Sequence, residues 1–343
     1  MAKSGRQTKR RHHTVPAFYL RGFADGEKLL AVTLPGQQRF TQMVKDATVE
    51  TDFYAIPGHE DGDDVLEDAL ADLEGKVAPV IARVVARKPL LPGDRGTLAY
   101  YIAVQGARSP AQKRNVDALR AQIARLEIGL GGRQRFRERF LSRGLELTDE
   151  QLDELWQQAM GPDGPPLQVS STEFAQQMLI TADELLRYIV GRPWTFIYFD
   201  DDRALITSDD PVTLVAHADA NPWEGIGYGT AGEIMLPISR RVALVMEDLD
   251  EAAQSLRLED VAAGKYDTLR RGNEAVQRVL NLQTAHNASK WIYVHPGDEQ
   301  FVPDDLPMPN PVSMRMSSSK WQFDGQPGGR TDADAPLDPD DKR

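Results

Sequence analysis

The sequence contains no cysteine. That absence excludes disulfide scaffolds, thiolate zinc sites and cysteine nucleophiles together, and it favours an intracellular, cytoplasmic location. Long apolar runs are missing as well. No stretch approaches the ~18 consecutive apolar residues of a membrane span, so no membrane partner is expected. The basic start, MAKSGRQTKRRHH, is not followed by the apolar segment of a secretory signal. The familiar site motifs are also absent: there is no GxxxxGK[ST], no HExxH and no GxSxG. Gly227-Tyr228-Gly229-Thr230-Ala231-Gly232 has the glycine spacing of a dinucleotide fingerprint but lacks its strand–helix context, and it reads as a loop.

What is present suits a folded chain. Its 343 residues exceed the size of one ordinary core, so one large domain or two coupled domains are both allowed. With 41% apolar and 27% charged residues it can bury a sizeable interior. The net charge of −12 argues against a protein that coats nucleic acid. The charge is uneven, however. Lys3, Arg6, Lys9, Arg10 and Arg11 crowd the start, and Asp332, Asp334, Asp338, Asp340 and Asp341 crowd the end. Two solvated tails account for this; the sharper alternative is a basic arm that touches phosphates.

Apolar periodicity divides the chain into regions. Lys28–Leu34 and Arg39–Val44 read as strands of a hairpin across Pro35-Gly36. A helix is expected from about Val65 to Arg87, kinked or split at Pro79. Another begins near Asp94 and breaks at Ser109-Pro110, and Gly129, Gly131 and Gly132 stop the one after it. Arg133–Arg143 reads as a short basic helix, and Thr148-Asp149-Glu150 opens the next. A further helix covers about Thr172 to Val190. Strands follow at Trp194–Phe199, Ala204–Thr207, Val212–Ala216, Glu233–Ile238 and Val242–Met246, then one helix at about Asp260–Leu282 and a strand at Trp291–Val294. This is an α+β pattern: an N-terminal hairpin, a helical middle layer and a mostly antiparallel C-terminal sheet. The expected organisation is a basic disordered arm over 1–11 and a single domain over 12–300, helical over about 62–190 and β-rich over about 192–295. A disordered acidic tail over 303–343 would complete it.

Function is sought where polar residues occupy apolar surroundings. Glu67 and Glu74 fall within about 20° of each other on the Val65 helix, beside its core face. Paired acids suit a divalent cation or acid and base roles; a solvated helix edge explains Glu67 well and Glu74 less well. Leu98, Tyr101, Ile102 and Gln105 share one helical face, and Arg108 lies at its edge. A partly buried arginine needs an anion, either a carboxylate or a substrate phosphate. Thr207-Ser208-Asp209-Asp210-Pro211 presents its side chains at a strand-to-turn corner. His12 and His13 point to opposite sides of an extended segment, so at most one enters a given site; a neutral histidine near carboxylates can act as a base.

At His13-Thr14-Val15-Pro16-Ala17-Phe18-Tyr19-Leu20-Arg21-Gly22-Phe23 the chain resembles the bacterial domain-of-unknown-function family numbered 4238. That family starts with Gln-His-aromatic-Val-Pro…Tyr-Leu…Phe. His12 stands where glutamine is usual, Thr14 replaces the aromatic, and Asp210 takes a place where asparagine is common. Glu67, Glu74, Gln105…Arg108-Ser109-Pro110, Thr207–Val212, Pro237 after a strand and Asn281 also match. The resemblance spans roughly residues 10–295 and implies one integral domain. It implies no substrate and no activity.

The leading expectation is an enzyme in which His13, Glu67, Glu74, Arg108 and Asp209 converge. His13 would serve as base, Glu67, Glu74 and Asp209 would bind a divalent metal or position water, and Arg108 would stabilise an anion. Gln105, Ser208 and Asn281 would contact substrate. Hydrolysis of a phosphoester in a nucleic acid or nucleotide fits that set. The alternative is a non-catalytic binding or regulatory (defence-associated) module with a structural buried ion-pair network.

Overall fold

The computed structural model describes residues 10–221, 225–248 and 256–309. Lys3, Arg6, Lys9 and the tail aspartates therefore lie outside the described residues. Two compact units are present. Among the described residues, the first comprises those up to Arg114 and from Val169 to Pro309, and the second Asn115–Gln168. The second unit falls within the stretch expected as the helical part of one domain over 12–300, and its inserted helices carry a small core of their own, Ile128, Phe136, Leu152 and Ala159.

In chain order the first unit opens with β1 (Arg11–His13), α1 (Ala17–Leu20), β2 (Lys28–Thr33), β3 (Arg39–Met43) and β4 (Val49–Thr51). Helices α2 (Val65–Val85) and α3 (Asp94–Ala107) follow, and α4 (Pro110–Leu141) begins within this unit. The second unit holds the rest of α4 and α5 (Asp149–Met160). Helix α6 (Ser171–Val190) returns to the first unit, followed by β5 (Trp194–Tyr198), β6 (Thr207–Ser208), β7 (Thr213–Val215), β8 (Glu233–Ser239) and β9 (Val242–Met246). Next come α7 (Leu258–Ala262), β10 (Thr268–Arg271), α8 (Glu274–Asn287) and β11 (Trp291–Val294). The fold is mixed α+β, and every strand pair named is antiparallel except β10 with β5.

Local chemistry explains most of the boundaries. Thr148 and Ser170 each form a capping box, with Gln151 and Glu173, at the starts of α5 and α6. Gly132 has φ 72° and breaks α4 within its glycine cluster. Helix α2 runs through Pro79 without splitting. The proline removes a bond to the Gly75 carbonyl; Gly75 and Pro79 are both exposed, so water can satisfy that carbonyl.

Four further expectations are corrected. The helix expected over Asp260–Leu282 is two helices separated by strand β10, because Gly264 turns the chain with φ +75° and Asn273 caps a new start. Pro237 lies inside β8, at a register shift where a missing N–H is tolerated. The tail expected to be disordered from 303 packs at least as far as Leu306, which joins Leu30, Val32, Ile206 and Ile292 in an apolar cluster. At the other end, Arg10 and Arg11 pair with Asp52 and Asp46 rather than extending as a free arm.

Two sheets organise the first unit. One has the order β3-β2-β11-β6 and the other β10-β5-β9-β8-β7. The N-terminal hairpin is thus joined edge to edge with the last strand, Trp291↔Thr33 to Val294↔Leu30. Helix α3 packs against both α2 and α6. Its second half, Tyr101 to Ala107, is buried on every side, which carries Gln105 and Arg108 inside with it.

Candidate functional site

The segment that follows β1 is locked inward. Val15, Tyr19, Leu20 and Phe23 are buried. The Tyr19 hydroxyl donates to the Pro237 carbonyl at 2.6 Å and lies 2.8 Å from Thr207 Oγ1. This contact ties the N-terminal segment to β6 and β8.

The two histidines differ as an extended strand requires. His12 is fully buried, stacked on Tyr54, and its Nδ1 accepts the Tyr54 N–H at 2.8 Å. His13 is half-buried, and its Nδ1 lies 3.1 Å from the Ala47 carbonyl. A carbonyl can only accept, so Nδ1 carries the proton and Nε2 of the neutral ring keeps its lone pair. Burial lowers the His13 pKa, and the charges of Arg108, Arg11 and Arg21 add to this; the Ala47 bond opposes them. The ring is therefore neutral at pH 7, and its Nε2 has no hydrogen bond to a described residue.

Arg108 is the hub of the centre. It follows the last turn of α3 and is fully buried. Its Nε donates to the Thr14 carbonyl and to Gln105 Oε1, both at 3.0 Å, and Gln105 Nε2 donates to the same carbonyl at 3.0 Å. Its two terminal nitrogens reach a single oxygen, Glu74 Oε1, at 3.3 and 3.4 Å. Tyr54 donates its hydroxyl to the Arg108 carbonyl at 3.0 Å. Burial raises the Glu74 pKa and the Glu67 charge adds to it, while Arg108 opposes them. Glu74 keeps 27% of its side chain accessible, so this pair is sealed on one side only.

An adjoining cluster begins one residue later. Ser109 Oγ donates to Asp210 Oδ2 at 3.1 Å, and Ser208 Oγ accepts the Asp210 N–H at 3.2 Å. Asp209 is clamped: its carboxylate accepts the N–H groups of Ser289, Lys290 and Trp291 at 2.9, 3.0 and 3.2 Å. Burial outweighs those bonds and moves its pKa up to about 6. Asp210 is pushed to about 8 by burial and by the charge of Asp209, with Ser109 and Arg114 opposing. Tyr293 links the clusters, because it bonds the backbone of Thr48 and feels the charge of Asp209.

The structure thus gathers His13, Gln105, Arg108 and Glu74, with Glu67 within electrostatic reach, around the end of α3. Ser208 and Asp209 belong to the adjoining cluster. Asn281 is brought to neither. Its Oδ1 accepts the Ile206 N–H, and its Nδ2 donates to the carbonyls of Ala204 and Phe301, which staples α8 to the sheet. Glu67, Glu74 and Asp209 do not form a ligand set: Glu74 faces Arg108 and Asp209 faces backbone amides. Among the described residues no group of three or more His, Asp or Glu side chains is arranged to hold a metal ion.

Two residues at the centre were not singled out from sequence. Tyr101 was counted as an apolar-face residue, yet its buried hydroxyl has no hydrogen-bond partner, and it interacts electrostatically with Arg108, Tyr19 and Glu74. Its place one helical turn before Gln105 was the available signal. Ser109 was read as a cap, and it does bond the Gln112 N–H, but the same hydroxyl also reaches Asp210.

No curated protein and no solved structure matches the chain. A family model described as a protein of unknown function, DUF4238, matches residues 11–298. That match takes in β1, the Arg108 centre, the Asp209 clamp and the final strand, and on it the chain belongs to the DUF4238 family.

Proposed function

We propose that the protein is a hydrolase for an anionic ester, with a phosphoester of a nucleotide or nucleic acid as the favoured substrate. The observation that carries this reading is the neutral His13 ring, held by Ala47 with its Nε2 lone pair uncommitted, within the field of the buried Arg108. In the proposed reaction Nε2 takes a proton from water, and the resulting hydroxide attacks the phosphorus or carbonyl centre. Arg108 stabilises the developing negative charge, for which its long, single-oxygen contact with Glu74 leaves capacity. The proton taken up by His13 is then passed to the leaving oxygen, while Glu74 holds the Arg108 guanidinium in place.

The test is hydrolysis of bis(p-nitrophenyl) phosphate, p-nitrophenyl phosphate and short RNA and DNA oligonucleotides by the full chain, with magnesium or manganese and with chelator. Turnover that falls at least 100-fold in His13→Ala, with an unchanged circular dichroism spectrum, is expected. Its acidic limb should lie below the ordinary histidine value of 6.5. Turnover that His13→Ala leaves intact, or no turnover across the panel, refutes the reading.

A second reading has its own support. Arg108 Nε is spent on the Thr14 carbonyl and on Gln105, which is what a structural tie between the N-terminal segment and α3 requires. In that case the protein is a binding or regulatory module, and Arg108 variants change stability alone.

A further inference from the structure

A cleft of about 840 Å³ opens elsewhere in the first unit, between the α2–α3 connection, the turn after α7 and the β5–β10 edge. Its size falls within the ~300–1,000 Å³ of small-molecule sites. Four features set its chemistry, and none belongs to the His13–Arg108 centre.

The first is charge. Arg87, Lys88, Arg95 and Asp267 are the charged residues that line it. Asp267 is consumed by Arg95, which it meets at 2.9 and 3.3 Å, and by the Trp194 N–H at 3.1 Å. Arg87 and Lys88 are exposed, and no described carboxylate pairs with either. The cleft therefore carries two uncompensated positive charges in a chain whose net charge is −12.

The second is a positioned arginine. Arg87 has φ +55°, a left-handed conformation that costs a non-glycine residue about 1 kcal/mol or more. It leaves the guanidinium 5.0 Å from the Tyr198 ring centre. The third is an apolar wall. Tyr198, Leu90 and Leu269 line the same cleft, and Leu269 is 59% exposed.

The fourth is a glycine without a packing reason. Gly96 lies in the first turns of α3, where glycine costs about 1 kcal/mol relative to alanine. A Cβ built there meets no atom within 4 Å, and its φ is not left-handed. Neither crowding nor backbone conformation demands it. What it preserves is open space on the cleft wall.

We propose that this cleft binds a small anionic molecule with an apolar or aromatic body, its charged end held by Arg87 and Lys88 and its body lying along Tyr198, Leu90 and Leu269. Charge complementarity selects the anion, and the apolar wall selects the body. The site stands or falls independently of the hydrolase reading.

The probe is 8-anilinonaphthalene-1-sulfonate, an aromatic monoanion, titrated by fluorescence into the full-length protein beside its neutral counterpart N-phenyl-1-naphthylamine. One saturable site is expected for the anion, at least tenfold tighter than for the neutral compound. The double variant Arg87→Glu, Lys88→Glu should weaken the anion at least tenfold. Gly96→Leu should do the same while keeping or raising the melting temperature, because it fills open space from a helical position. Equal binding of the two compounds would overturn the proposal. Anion binding that survives Gly96→Leu, or survives the charge reversal, would overturn it too.

Discussion

Replacing Asp210 by asparagine should stabilise the protein, by an amount that grows with pH. The carboxyl is buried beside Asp209 and titrates at about 8, against 3.8 for the free group, because burial and the neighbouring charge both oppose its ionisation. Below pH 3.8 the group is protonated in both folded and unfolded chains and has no effect on stability. Above that value the unfolded chain releases a proton that the folded chain retains. Stability then falls by about 1.4 kcal/mol per pH unit until the folded group itself ionises. At pH 7 the accumulated penalty is on the order of 4 kcal/mol. Asparagine keeps the size, still accepts from Ser109, and has no charge to bury. With a urea slope of roughly 2–3 kcal/mol/M, the midpoint of Asp210→Asn should rise by about 1–2 M at pH 7. It should coincide with the parent at pH 4. Tryptophan fluorescence followed through urea series at pH 4, 6, 7 and 8 measures this. A gain that does not change with pH, or a loss at pH 8, would refute the account of the Asp209–Asp210 pair.

Two other predictions concern the α3 end. Arg108→Met strands Gln105 Oε1 and leaves Glu74 without its cation, so it should cost about 3–5 kcal/mol. Glu74→Gln should cost less, ~1–2 kcal/mol, because its side chain reaches water; equal losses in urea melts would contradict the burial assigned to Arg108. Tyr101→Phe removes a buried hydroxyl that has no partner, so it should leave stability unchanged or raise it by up to ~1–3 kcal/mol. A lower melting temperature would mean that the hydroxyl is bonded after all.

Periodicity made much of this fold legible. The helices from Val65, Asp94 and Ser171 and the strands at Lys28, Glu233 and Val242 start within a residue or so of where apolar spacing and caps place them. The α8 region was misread because Leu269 and its neighbours are exposed, and an edge strand lying flat on solvent has no burial pattern to reveal it. A helical insertion with its own small core has the same local period as the helices that flank it, so periodicity alone does not set the second unit apart. At the candidate site, Gln105 and Arg108 were visible as polar residues on an apolar face. The Asp209 clamp was not, because its donors are backbone amides, which no side-chain sequence encodes.

The Asp209 clamp also bears on when the site comes into being during synthesis. His13 and Thr14 lie near the start of the described chain, while the amides that hold Asp209 are those of Ser289, Lys290 and Trp291. At ~5–20 residues per second, the ribosome needs roughly 15–55 s to travel from one to the other. For most of that interval, until residue 237 is made, the Tyr19 hydroxyl lacks the Pro237 carbonyl, although β1 just before it already has its nearby partner β4. The His13–Arg108 centre, whose partners Ala47, Glu74 and Gln105 all precede Arg108, can therefore form early, and it is the Asp209 cluster that waits for the last strand.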